Sequence, residues 1–430
     1  MDQTGFFSNQ GLEVDTVQNY TGFHTAADVY KLKAFRLINF KAFRDTGWIL
    51  LNRLTLVLGE NSSGKSALYQ ALQMVSDAYE YLRQEDKFKN LARMSGEVGC
   101  FEELCNKSAE SAVVKMCFQF QHEKDILEYF VCMEPDEKDE FGRVTEVSGK
   151  QENVQYDFLQ YYDSVNIFFL ERKNDRKIPQ RIERTAECLL ASMRKFAQSF
   201  QTINAHRYFP ERIIQFAGAV SYYQKTVGSE VYDMLYALSE IQGKKASMVQ
   251  DWLSKFGYSY RFKMSGVNRG EFVLKDLKSG IESNLVDNGF GISQSLPLAV
   301  ALETIDQKTI LIDSPEAFLQ TQMQSEMGDL LITGSENGRI LLETGSEYLT
   351  LRIQRRVAEE VILKEEVTIY YIEETADGET VCRWIALDDN GDFQNTSEAF
   401  EQFFSSDFHD IEKLDEIRRE KRKHEAKNCN

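Results

Sequence analysis

The sequence predicts an α/β fold, and three observations predict it. An apolar run over residues 53–58, carrying Leu54, Leu56, Val57 and Leu58, reads as a buried strand. It passes directly into Gly59-Glu60-Asn61-Ser62-Ser63-Gly64-Lys65-Ser66, after which Leu68, Leu72, Val75 and Tyr79 recur at the spacing of one helix face. Two more short apolar runs, residues 308–313 and 339–343, supply strands downstream, the second entering a helical pattern of Leu349, Ile353 and Val357.

The loop has the phosphate-binding pattern of two glycines with four residues between them, followed by Lys and Ser. Its chemistry follows from its place between strand and helix. The first N–H groups of a helix lack internal partners and carry the positive end of its dipole, so they attract phosphate oxygens. Gly59 and Gly64 let the backbone curl around those oxygens, with Glu60, Asn61, Ser62 and Ser63 between them. Lys65 reaches the terminal phosphates as a point charge, and the Ser66 hydroxyl ligates Mg2+. The implied cofactors are ATP and Mg2+.

A chain of 430 residues is long enough for a large core, and it holds no run of eighteen apolar residues. Asp2, Gln3 and Thr4 open it without the basic and apolar regions of a signal peptide, and its seven cysteines form no CxxC pair. Reduced thiols in a cytoplasmic protein, with no membrane partner, are the expectation. The formal net charge of −18 argues against nucleic acid covering the whole surface. Nucleic acid is left to local basic clusters, namely Arg172, Lys173, Arg176, Lys177, Arg181 and Arg184; Arg352, Arg355 and Arg356; and Arg418, Arg419, Lys421, Arg422 and Lys423. The default reading of each is a solvated helix face, with a patch for nucleic acid or an acidic partner as the alternative.

In chain order, residues 1–29 read as a flexible arm and 30–150 as an N-terminal lobe carrying the P-loop. Within that lobe residues 113–120 and 126–133 read as paired strands, and the acidic, glycine-bearing stretch 135–149 as an exposed connection. Residues 151–260 read as a helical insertion, with helical spacing at Leu189, Met193, Phe196 and Phe200 and no sustained heptads. Residues 261–360 form a C-terminal lobe, and 361–430 a β-hairpin around Asp377-Gly378 followed by a basic helical tail.

Two stretches of the second half carry chemistry. In Asp287-Asn288-Gly289-Phe290-Gly291-Ile292-Ser293-Gln294, a glycine-rich loop leads to Ser293, placed to cap a helix through Leu298 and Leu302, with Pro297 in its first turn. Residues 308–313 end in Asp313, the Walker B form, which holds Mg2+ through water. Glu316 follows, either as the residue that positions the attacking water or as a carboxylate satisfying a helix N-terminus. Thr344 and Glu347 read as a capping box. Asp388-Asp389 read as turn carboxylates rather than metal ligands.

The turn Asn39-Phe40-Lys41-Ala42-Phe43, with the P-loop about twenty residues later, resembles the opening of the SMC, RecF and OLD group of ABC-type ATPases. The segment from Ile203 to Arg212 is similar to one in small OLD-like ATPases. The resemblance implies an ABC-type P-loop NTPase head with a mixed sheet, an inserted helical segment and a small C-terminal hairpin and helix extension. It makes Gly291, Ser293 and Gln294 the signature that meets a second protomer's γ-phosphate, hence a homodimer or higher homo-oligomer with shared ATP sites. Lys65, Asp313 and Glu316 become the catalytic set.

Departures from that pattern matter. The position after Asp313 is Ser314 instead of the usual glutamate, and Gly345 stands where a switch histidine belongs, so slow hydrolysis is expected. No Toprim nuclease pattern follows. The resemblance is then to single-domain AAA-type ATPases that act beside a separately encoded effector, such as a nuclease, in phage-defence systems like Septu and PARIS. A non-hydrolysing nucleotide-dependent scaffold and a RecF-like repair ATPase are the competing readings.

Overall fold

The computed structural model describes residues 29–84, 100–137, 139–152, 154–166, 169–173, 177–207, 209–216, 230–238, 247–266, 268–305 and 308–404. Residues 1–28 of the expected arm, Arg176 and the basic run from Arg418 to Lys423 lie outside them. The fold is mixed α/β. The chain divides into two compact units, one of Met1–Phe40 with Met74–Gln198, the other of Lys41–Gln73 with Ser199–Asn430.

The second unit is built on strands in the order Phe200–Ile203, Thr309–Asp313, Arg339–Glu343, Leu54–Gly59 and Val367–Glu374, all parallel neighbours. Leu54–Gly59 is buried at every position. A parallel strand covered on both faces requires this, which is why its sequence is a continuous apolar run instead of an alternation. The expected C-terminal hairpin is present, Val367–Glu374 pairing antiparallel with Thr380–Leu387. Its first strand also lies directly beside the P-loop strand, so the hairpin is part of this sheet. The helices Phe290–Glu303, Thr321–Gly334 and Glu347–Ala358 contribute Leu296, Leu298, Met327, Leu331, Leu349 and Ile353 to one apolar core with these strands.

The first unit is antiparallel, with Lys31–Phe40, Val114–His122, Asp125–Asp136, Asp139–Gln151 and Val154–Asp157 paired in sequence. Stretch 135–149, expected as an exposed connection, is mostly strand. Gly142 and Gly149, which suggested a loop, permit close packing instead. A Cβ on Gly142 would lie 2.6 Å from the Glu134 carbonyl oxygen, and one on Gly149 would lie 2.6 Å from the Leu189 side chain. Residues 151–260 hold the expected helix at Gln180–Gln198 but also the strands Val154–Asp157, Tyr162–Asn166, Phe169–Arg172 and Phe200–Ile203. Helical spacing therefore ends before Phe200, which is buried in the parallel sheet of the other unit.

Candidate nucleotide-binding site

Every residue of this site belongs to the second unit. Gly59 and Gly64 have φ of 149° and 104°, and Ser62 has 64°, so the loop is held in conformations that favour glycine. The surroundings exclude side chains as well. A Cβ on Gly59 would sit 2.6 Å from the Ile372 carbonyl oxygen, and one on Gly64 would sit 2.9 Å from Ala42 Cβ. Residues of the turn quoted above thus pack against the loop, and Lys41 Nζ donates to Gln70 Oε1 of the following helix at 2.6 Å. Arg44, just after that turn, pairs with Glu379 at 2.6 Å.

Lys65 is only 8% exposed and its Nζ donates to the carbonyls of Gly59 at 2.9 Å and Glu60 at 2.6 Å. Burial lowers its pKa, opposed by Glu343, Asp313 and Glu316. Ser66 Oγ donates to Glu343 Oε1 at 3.1 Å. Glu343 ends its strand in register with Asp313 on one side and Val57 on the other. Burial, and then repulsion from Asp313, pushes the Glu343 carboxyl up to about 7, while Lys65 and the Ser66 hydrogen bond pull it down. Its Oε2 is buried without a hydrogen-bond partner among the described residues, as is Ser63 Oγ.

Glu316 is not at a helix start. It lies in a turn ahead of the helix Thr321–Gly334, which is capped at Gln320. Its carboxylate accepts from Thr344 Oγ1 at 2.8 Å and from the Gly345 N–H at 3.0 Å. The helix-dipole reading of this residue therefore falls, and Glu316 instead links the end of one strand to the loop after the next. Burial raises its pKa against those hydrogen bonds. Ser314, in the left-handed region at φ 46°, donates from its hydroxyl to Asp313 Oδ1 at 2.7 Å.

The capping box is corrected too. Ser346 is the N-cap, accepting from the Leu349 N–H at 3.1 Å, and Thr344 is held by Glu316 and by the Ser346 N–H. Gly345 has nothing within 4 Å of where a Cβ would stand.

The signature stretch departs most from expectation. Its helix starts at Phe290 with Gly289 as N-cap, so Ser293 lies inside the first turn and does not cap it. Ser293 is fully buried, and its Oγ donates to the Phe290 carbonyl at 3.0 Å. Gly291 is helical, and it must be glycine because a Cβ there would meet the Phe318 carbonyl oxygen at 2.9 Å. Pro297, expected in the first turn, falls inside the helix, where it gives no N–H to the Ser293 carbonyl. Gln294 is 2% exposed, and its Nε2 has no partner among the described residues. What the helix start exposes is Phe290, 48% accessible, stacked on Phe209 at 5.3 Å and edge-on to Phe318 at 4.8 Å.

Two residues escaped the sequence reading. Glu343 was seen only as the end of a strand. Arg207 was quoted only inside a resembling segment, yet it is 7% exposed, and its Nη2 donates to the carbonyls of Asp313 at 2.9 Å and Ser314 at 2.7 Å. Its Nη1 reaches the Gln294 carbonyl at 3.4 Å. A buried arginine close to carboxylates had no sequence signal, because both contacts span about a hundred positions of chain. Arg352 and Arg356 pair, partly buried, with Asp329 of the helix Thr321–Gly334, and only Arg355, paired with Glu359 on its own helix, stands on a solvated face. Asp388 closes its turn by accepting from the N–H groups of Asn390 and Asp392.

The loop fits a triphosphate with Mg2+. Its glycines are sterically required, its lysine is turned onto its own carbonyls, and Ser63 Oγ and Glu343 Oε2 are buried without partners among the described residues. No helix of the described residues is long and apolar enough to cross a membrane.

No curated protein matches the sequence. Among solved structures the chain is similar to an SMC head domain from Thermotoga maritima, at 12% identity and TM-score 0.43, covering 83% of this chain and 100% of that one. It is also similar to an Smc head bound to the C-terminal winged-helix domain of ScpA, at 13% identity and TM-score 0.47, covering 83% and 98%. A third is an Smc head with an extended coiled coil bound to the C-terminal domain of ScpA derived from Pyrococcus furiosus, at 12% identity and TM-score 0.42, covering 83% and 96%. Residues 35–215, the P-loop included, match the family model of an AAA domain.

Proposed function

We propose that this protein binds Mg-ATP on the loop from Gly59 to Ser66 and hydrolyses it slowly. The observation that carries the reading is the hydrogen bond from the Ser66 hydroxyl to Glu343, the in-register strand neighbour of Asp313. It joins the residues of a phosphate loop to those of a metal site within one unit. Backbone N–H groups from Gly59, Glu60, Asn61, Ser62, Ser63 and Gly64 cradle the phosphates. Lys65 exchanges its loop carbonyls for phosphate oxygens. Ser66 and Asp313 hold Mg2+, which neutralises phosphate charge when bound. Glu316, a carboxylate made more basic by burial, orients the attacking water.

In this reading two copies meet across the helix headed by Phe290, with Gly291, Ser293 and Gln294 belonging to the shared interface. Because the Ser293 hydroxyl is engaged internally, the backbone at the helix start makes the contact with phosphate. ATP-dependent pairing then controls a separate effector, a nuclease in the kind of phage-defence system whose ATPases the ordered motifs resemble.

Phosphate release by wild type, Lys65→Ala and Glu316→Gln tests the enzyme. Slow wild-type turnover that both variants lose supports it, and wild-type turnover no higher than Lys65→Ala contradicts it. A second reading, a scaffold that closes on ATP without hydrolysis, is favoured by the Ser314 hydroxyl bound to Asp313 and by the bare Gly345. It predicts ATP-dependent native mass without phosphate release. Pairing itself is tested by Phe290→Arg, at the exposed start of that helix, which should keep the protein at its ATP-free mass.

A further inference from the structure

Arg207 is a buried cation that makes no hydrogen bond to a carboxylate among the described residues, its Nη atoms donating to three backbone carbonyls instead. Its Nε is buried with no partner among the described residues. A guanidinium taken out of water is strongly disfavoured unless its fixed fork of donors is used. Burial lowers its pKa to about 10, against the attraction of Glu316 and Asp313. The carbonyls it chooses belong to two elements. Gln294 lies in the helix from Phe290, where Pro297 leaves the Ser293 carbonyl without its helical donor. Asp313 and Ser314 form the strained exit from the Walker B strand, Ser314 standing at φ 46°. Ser314 in turn bonds Asp313 through its hydroxyl, and Glu316 is two residues on.

We propose that Arg207 is a positioning residue that couples the helix from Phe290 to the turn carrying Asp313, Ser314 and Glu316, so that engagement of that helix sets the carboxylates of the ATP site. This rests on the reading that Mg-ATP binds and draws two copies together. A displacement of the helix at Gln294 pulls the fork, and the fork holds both carbonyls flanking the left-handed residue. Lysine keeps the charge but cannot hold three carbonyls in one plane.

The test compares wild type, Arg207→Lys and Arg207→Gln as full chains with Mg-ATP. It reads ATP affinity, native mass, kcat and KM for phosphate release, and amide hydrogen exchange over residues 313–319. Wild type should bind, pair and gain exchange protection in that segment. Both variants should bind ATP within about threefold of wild type and pair, yet lose the added protection, with kcat down about 100-fold at unchanged KM, the scale of a misplaced catalytic group. Lower melting temperature alone reports packing and leaves kcat per folded molecule unchanged. Should the scaffold reading hold, the exchange measurement still decides. Full protection and full kcat in Arg207→Lys would overturn the coupling alone. Wild type that neither binds nor pairs would overturn the ATP reading and the coupling together.

Discussion

The P-loop and the helix from Phe290 were both recognised by glycines, and the glycines do different work in each. At Gly59 and Gly64 positive φ and close neighbours both demand glycine, Ser63 Oγ is buried without a partner among the described residues, and Lys65 Nζ rests on the loop's own carbonyls. At Gly291 the backbone is helical, and glycine is required by the Phe318 carbonyl packed onto it. The same motif letter therefore reports ligand access in one region and interior packing in the other. Ser293 follows from this difference, because a helix capped at Gly289, four residues before the expected cap, carries its serine inward.

The comparison breaks most visibly if Glu316→Gln retains activity. Loss of a water-positioning carboxylate should lower phosphate release about 100-fold, with ATP binding by calorimetry preserved. Next, Gly291→Ala should destabilise the fold by about 1–3 kcal/mol through overpacking, read by urea midpoint, without weakening ATP binding to the separated chain. If affinity falls instead while stability holds, Gly291 is a ligand position like Gly64.

Glu343 sharpens the contrast through pH. Its folded pKa of about 7 is above the ordinary 4.5, so its contribution to stability is present below about 4.5 and is lost as pH rises through 7. In magnesium-free buffer Glu343→Gln should therefore gain about 3 kcal/mol over wild type at pH 8, and the gap should narrow to about 1 kcal/mol or less at pH 5. Equal gaps at both pH values would contradict the burial argument. The smallest effect is expected at the open position: Gly345→Ala should lie within about 0.5 kcal/mol of wild type. Gly345→His, placed in the same free space, should raise turnover if the missing switch residue is what slows it.

The sequence made the strand, loop and helix around Gly59–Ser66 legible because all their determinants are local: an apolar run, glycines at fixed offsets and a helical period. Asp313 was legible for the same reason. Arg207 and Glu343 were not, since their partners arrive through parallel strand order and long-range packing. Stretch 135–149 was misread because its charges line an antiparallel strand in which, among the described residues, only Val147, Ser148 and Gly149 are buried. Thr344 was misread by two residues because a threonine held by Glu316 looks, in sequence, like a cap.

The central claim is that the loop holding Lys65 is a Mg-ATP site completed by the strand ends. Calorimetric titration of Mg-ATP into wild type and Lys65→Ala tests it most directly. The account predicts one nucleotide bound per chain and an affinity about 10- to 100-fold weaker in Lys65→Ala, the value of a charge-assisted hydrogen bond. Equal affinities in the two proteins, or no heat in either, would contradict it.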